Sequence, residues 1–203
     1  MKDIKAKILS NSKAGHAYYK MVLDASCIAK SAKPGQFVQI KCSDSMEPLL
    51  RRPFSVYRVK RGLEILYEVV GKGTEMLSRR QKGEYLSVLG PLGNGFILPR
   101  TTNSEPRAII IAGGIGAAPL VYLAEELTKN KIKTIVLIGA KTKELILCEK
   151  DFKNLTSEVY VSTDDGTYGC KGLVSSLFHK ILKTTESKFE TIVYVCGPAS
   201  MLR

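Results

Sequence analysis

The 203-residue sequence predicts an antiparallel β-barrel followed by a doubly wound parallel-sheet α/β domain. Three observations carry this. Residues 1 to about 100 hold short alternating or β-branched runs between turns. A polar stretch with two prolines, residues 99–107, reads as a domain boundary. Beyond it, continuous apolar runs alternate with helical periodicity. The domains expected are therefore 1–100, a barrel, and 106–203, an α/β domain.

In the first half the strands expected are KAKILSN, YYKMVLDA, QFVQIKC, FSVYRVKR, GLEILYEVV and EYLSVLG. The turns KPGQ, KRG, QKGE and GPLGNG separate them. Short strands at this even spacing argue for a small barrel. One interruption, GTEMLSRR after GKG, is long enough for about two helical turns. In the second half RAIIIAG and KTIVLIGA have the apolar character of parallel strands buried on both faces, and SEVYVST and ETIVYVCG are expected as the third and fourth strands. APLVYLAEELTKN, CEKDFKNL and KGLVSSLFHKIL supply the helices between them. Ligands of such sheets sit beyond the carboxyl ends of the strands, here AGGIGAAP, GAKTKE, STDDGTYG and CGPAS.

Composition narrows the function. No apolar run approaches the roughly 18 residues of a membrane span. The charged start MKDIKAKILS has no apolar signal core, so a soluble cytoplasmic protein without membrane contact is expected. The net charge of +12 suits anionic partners, but the lysines are scattered and lack aromatic interleaving, which argues against nucleic acid. Cys27, Cys42, Cys148, Cys170 and Cys196 lack the close pairing of zinc or iron–sulfur ligands, so no metal site is expected. His16 and His179 have no acidic partner set around them and read as surface or packing residues.

Four loops can carry chemistry. In AGGIGAAPL, Gly113, Gly114 and Gly116 permit positive φ and close approach of a ligand, and Pro119 suits a first helical turn. Amides at the start of that helix would face a pyrophosphate; a tight turn without a ligand is the plain alternative. The loop departs from the dinucleotide fingerprint, with Pro119 at its third glycine and no acidic residue about 20 positions on, so NAD and NADP are not distinguished. In GKGTE, Thr74 is expected as a helix N-cap over a second anion nest. In PLLRRPFSVYRV, Arg52 offers a bidentate phosphate partner, Phe54 a stacking ring and Ser55 a hydroxyl. A charged edge strand blunted by Pro53 is equally consistent with that spacing. In CGPAS, Cys196 stands at a strand's carboxyl end, either facing a ligand or as a small buried hydrophobe.

Taken together, these motifs resemble the ferredoxin–NADP reductase superfamily, whose flavin motif is arginine, any residue, an aromatic, then serine or threonine. Arg52-Pro53-Phe54-Ser55 matches it. RRPFS, GKGT, GPLGNGF, AGGIGAAPL, TDDGTYGCKG and VCGPASML, in that order, are similar to the electron-transfer subunits of NAD-dependent dihydroorotate dehydrogenases, across essentially the whole chain. The resemblance implies FAD in the barrel, held by Arg52, Pro53, Phe54 and Ser55, with Leu66, Tyr67 and Glu68 on the next strand and Gly73 and Thr74 at the pyrophosphate. It implies NAD over Gly113, Gly114, Ile115 and Gly116, with Cys196, Gly197 and Pro198 near the nicotinamide and Asp164 beside the cofactor, although DDG also reads as an ordinary turn. Ser55 and Cys196 would be the residues at the reacting rings.

The implied activity is that of an FAD-dependent oxidoreductase subunit in pyrimidine biosynthesis. Electrons from a dihydroorotate-oxidising catalytic (FMN) subunit would reach NAD⁺ through FAD, in a hetero-oligomer. Family members also carry a cysteine-rich segment for a [2Fe–2S] cluster after CGP; its ligands are not in this chain, which reads as truncated at Arg203. Two alternatives stand beside this reading. One is a flavin reductase subunit of a sulfide dehydrogenase or hydrogenase type; the other is a basic nucleic-acid-binding barrel.

Overall fold

Six strands close on themselves. The computed structural model describes residues 1–43, 48–99, 106–184 and 190–202. The chain forms two units, Met1–Phe96 and Ile97–Arg203. The expected linker falls mostly on residues 100–105, outside those described.

In the first unit the strands are β1 (Lys2–Lys13), β2 (Tyr18–Asp24), β3 (Phe37–Ile40), β4 (Arg52–Val59), β5 (Leu63–Glu68) and β6 (Tyr85–Leu92). They close in the order β1-β2-β5-β4-β3-β6, and every pairing is antiparallel. Closure leaves no sheet edge to protect, which settles the question raised by Pro53: β4 lies between β3 and β5, not at an edge. Alternate residues fill the interior, among them Ala6, Ile8, Met21, Leu23, Val38, Ile40, Val56, Ile65, Leu86 and Val88. Two short helices decorate the barrel, α1 (Ser26–Ala29), which the sequence pattern does not announce, and α2 (Lys72–Ser78).

The second unit contains β7 (Arg107–Gly113), α3 (Ala117–Lys129), β8 (Lys133–Ala140), α4 (Glu149–Lys153), β9 (Val159–Thr163), β10 (Cys170–Lys171), α5 (Val174–Thr184) and β11 (Thr191–Cys196). The sheet is parallel, in the order β10-β9-β8-β7-β11. Strands are added outward from β7 on one side, and the chain then returns to place β11 on the other. With right-handed crossovers, that reversal puts α3 and α4 on one face and α5 on the opposite face. Val174 and Leu177 of α5 share a core with Ile109, Ile111, Ile135 and Leu137. The reversal makes the gap between β7 and β11 the topological switch point, where open α/β sheets take their ligands.

Among the described residues, no helix is long and apolar enough to cross a membrane. Leu137 is fully buried in the α/β core. Leu137→Ala is expected to destabilise this unit by about 2–5 kcal/mol, read as a lowered denaturant midpoint.

Candidate functional sites

On the barrel, the two adjacent arginines have separate tasks. Arg51 donates from Nη2 to Asp3 Oδ2 and to Ser87 Oγ, both at 2.9 Å, joining β1 to β6. Arg52 donates from Nη1 to the Leu50 carbonyl at 2.9 Å, and none of the ion pairs among the described residues involves it. Its side chain lies along α2: a Cβ built on Gly73 would come within 3.3 Å of Arg52 Nε and 3.5 Å of Pro48 Cγ. A glycine thus lets bare main chain approach a guanidinium. Arg52 and Arg80 both act on buried Cys42: burial pushes its thiol pKa up, and the two cations oppose that. The corner is electropositive.

Thr74 is not the N-cap that the sequence suggested. Gly71 caps α2 and has no side chain to offer, so Thr74, three residues on, reaches back. Its Oγ1 accepts from Val70 N at 3.0 Å and Gly71 N at 3.2 Å. Phe54 also departs from expectation. Its ring is 6% exposed and meets the Tyr67 ring edge-on at 5.6 Å between centroids, so the fold gives it little open face for stacking. The cause is strand alternation, which turns Phe54 inward with Val56, while Pro53 and Ser55 take the other face. Leu66 is buried, and Glu68 and Ser55 are partly exposed.

Tyr67, 2% exposed, donates to Asn11 Oδ1 at 3.1 Å and stacks on Tyr19 at 5.9 Å. Burial pushes its phenol pKa well up, so it remains a donor. Asn11, Tyr19 and Arg80 were absent from the sequence reading. Asn11 left a trace there, because asparagine is depleted in strand interiors.

In the α/β unit, the turn after β7 and the turn after β11 meet at the switch point. A Cβ on Gly116 would stand 2.5 Å from the Cys196 carbonyl oxygen and 2.7 Å from Gly197 N. One on Gly113 would reach Met201 Sδ and Pro198 Cδ. These two glycines have ordinary negative φ, at −129° and −62°, so packing of turn on turn, not backbone handedness, excludes side chains there. Gly114 alone of the three has positive φ, +52°, with open space before it. Ile115 and Cys196 are partly exposed. Burial pushes the Cys196 thiol pKa up, which keeps it a neutral wall and not a thiolate.

Farther along the same crest, Asp165 Oδ1 accepts from Thr167 N and Oγ1, closing a turn that holds its carboxyl pKa below the usual range. Asp164 is exposed, and its main-chain N–H is held by the Ala140 carbonyl. Buried Thr163 donates to the Tyr168 carbonyl at 2.8 Å and accepts from Tyr168 N, which fixes the Tyr168 main chain, while the Tyr168 hydroxyl donates to Glu149 Oε1 at 2.9 Å. Tyr168 borders an open cavity of about 550 Å³ with Lys143, Ile146, Cys148 and Glu149. Among the described residues, no group of three or more His, Cys, Asp or Glu is placed to hold a metal. His179 bonds within its own helix, to the Ser175 carbonyl.

Comparison with known proteins places the chain among oxidoreductases. A family model described as the oxidoreductase NAD-binding domain matches residues 110–203. The chain is 42% identical over 201 residues to the dihydroorotate dehydrogenase B (NAD(+)) electron transfer subunit of Desulforamulus reducens, covering 98% of this chain and 74% of that protein. It is 39% identical to the subunit of the same description from Geobacillus kaustophilus, over 91% of this chain and 70% of that one. Among solved structures, an NADH-dependent reduced ferredoxin-NADP oxidoreductase, described in connection with flavin-based electron bifurcation, superposes with a TM-score of 0.80. It is 26% identical, and the match covers 97% of this chain and 69% of that chain.

Two outcomes test the crest. Gly116→Ala is expected to destabilise by at least about 1–3 kcal/mol, since its Cβ strikes main chain, as read by thermal unfolding. Brief alkylation with iodoacetamide at pH 8, followed by mass spectrometry, should label exposed Cys170 well before Cys196, whose thiol burial keeps protonated.

Proposed function

The chain belongs to the family of dihydroorotate dehydrogenase B (NAD(+)) electron transfer subunits, and we propose that it binds FAD on its barrel and NAD on its α/β unit, passing electrons from a dihydroorotate-oxidising partner subunit to NAD⁺. One observation carries the flavin assignment: the Arg52 guanidinium lies against the bare main chain of Gly73 and belongs to no ion pair among the described residues. A pyrophosphate fits such a corner, because a guanidinium forms charge-assisted bonds with phosphate oxygens and glycine lets amides come near. Bound FAD would supply the hydride exchange with the nicotinamide ring, chemistry that needs no protein acid or base.

The chain's own residues bind and orient. Arg52, Gly73 and Thr74 hold the phosphate end. Ser55 offers its hydroxyl to the ring, and the main chain of Pro53, Leu66 and Glu68 borders it, while Phe54 and Tyr67 back these strands from within. On the α/β unit, Gly114 and Ile115 present main chain to the NAD pyrophosphate, while Gly113 and Gly116 bring Cys196, Gly197 and Pro198 up to the same place. Cys196, neutral, walls the nicotinamide. Asp164, exposed just past the carboxyl end of β9, would offer its carboxylate to a hydroxyl of the cofactor. The cavity beside Tyr168 offers the adenine a flat ring.

The cysteines here do not fit a [2Fe–2S] cluster: they are dispersed, and none belongs to a metal-holding group among the described residues. Electron entry is therefore not assigned to a cluster on this chain. The relatives' description as electron transfer subunits supports a hetero-oligomer with a catalytic dihydroorotate dehydrogenase subunit.

Incubated with FAD and desalted, the protein should be yellow, and anaerobic NADH should bleach its flavin absorbance. A chain that stays colourless overturns the assignment. Arg52→Ala should weaken FAD binding about 10- to 100-fold, the worth of a charged hydrogen bond. Arg51→Ala, which removes a partly exposed ion pair with Asp3 and the contacts to the Ser87 hydroxyl and the Gln39 carbonyl, should change FAD affinity by less than about twofold.

A further inference from the structure

We propose that Asn11 is a positioning residue for the flavin site: it ties the C-terminal end of α2 to Tyr67 and thereby fixes the Gly73 main chain against Arg52. The inference rests on the flavin reading of the barrel corner. It starts from a short helix that cannot hold itself. Seven residues, Lys72–Ser78, lie well below the length at which a helix is stable alone in water. Thr74 secures its first turn. Its last turn has carbonyls with room for a further donor; that of Leu77 accepts from Arg80 N at 3.1 Å.

Asn11 answers those carbonyls. Its Nδ2 donates to the carbonyls of Leu77 at 3.0 Å and Arg80 at 2.9 Å, with Ser78 near at 3.4 Å. Only the amide nitrogen can face three carbonyl oxygens, so the orientation of the amide is determined. Its Oδ1 is then turned to Tyr67, whose hydroxyl donates to it at 3.1 Å. The β1–β2 register shifts between Ile8 and Ser10, just before Asn11, and a shift of this kind re-aims the side chains that follow.

The contacts form a circuit. Arg52 and Phe54 lie on β4. Phe54 meets Tyr67 of β5, Tyr67 bonds to Asn11 of β1, Asn11 holds the end of α2, and Gly73 of α2 returns to Arg52. The strands are fixed by the barrel, whereas α2 is carried by its two ends and by buried Leu77. Without the Asn11 amide, the last turn of α2 would bond to water and Gly73 would lose its set distance from Arg52. Tyr67 would lose its acceptor, but the ring contacts lie on β4 and β5, strands that barrel closure fixes. Loss should therefore fall on the phosphate half of FAD and spare the ring half.

Titration with FAD and with riboflavin, which lacks phosphate, reads the two halves apart through flavin fluorescence. For Asn11→Ala, FAD affinity should fall about tenfold or more, while riboflavin affinity stays within about twofold, as expected when hydrogen bonds that hold the phosphate corner are lost. Asn11→Ser, which keeps one donor, should lie between wild type and Asn11→Ala. Equal losses for both flavins would mean general loosening and would overturn the proposal, as would unchanged FAD affinity. If neither variant folds, Asn11 serves the barrel as a whole and the positioning role is likewise overturned. A wild-type chain that binds neither flavin overturns the flavin reading itself, a result distinguishable from all of these.

Discussion

Main chain meeting its neighbour without an intervening Cβ is the constraint on which both candidate sites depend. Gly73 lets α2 lie along Arg52. Gly116 lets the turn after β7 touch the carbonyl of Cys196, where any side chain would strike main chain that cannot move aside. Folding brings these segments together through larger forces, namely barrel closure and burial of the parallel strands. The glycines decide how closely they finish. Phosphate recognition through amides requires that closeness, because a hydrogen bond weakens quickly beyond its usual length.

Electrostatics completes what sterics permits. The chain carries +12, most of it dispersed, and so would attract anions without selecting among them. Selection comes from a cation held in a defined place. Arg51, just before β4, and Arg52, its first residue, are neighbours of identical chemistry, yet their side chains go to different partners. Arg51 is drawn into the Asp3–Ser87 pair across the barrel wall. Arg52 turns to α2, where its charge, together with that of Arg80, is felt at Cys42.

Many elements were legible because they rest on local patterns. The six barrel strands show alternation or β-branched runs. In the second unit β7 and β8 show unbroken apolar runs and the helices show periodicity, whereas the two-residue β10 has no such pattern. The glycine turns announced themselves by composition. Where the sequence reading missed, the reason was an interaction between distant residues. Thr74 was expected as an N-cap from its position after two glycines, but the cap falls at Gly71 because α2 begins earlier. Phe54 was expected to stack on a ligand, but the face it occupies is set by the register with β3 and β5. Gly113, Gly114 and Gly116 all permit positive φ, and only Gly114 adopts it.

The sequence by itself determined the two-part architecture, the family and the candidate cofactor loops, because periodicity and short motifs are properties of neighbouring residues. The tertiary structure decided which arginine pairs with Asp3, why Gly113 and Gly116 cannot carry side chains, and that Asn11 bonds to the end of α2. Each depends on residues far apart in the chain, as Asn11 and Leu77 are. Their contact follows from barrel closure, which no local pattern encodes.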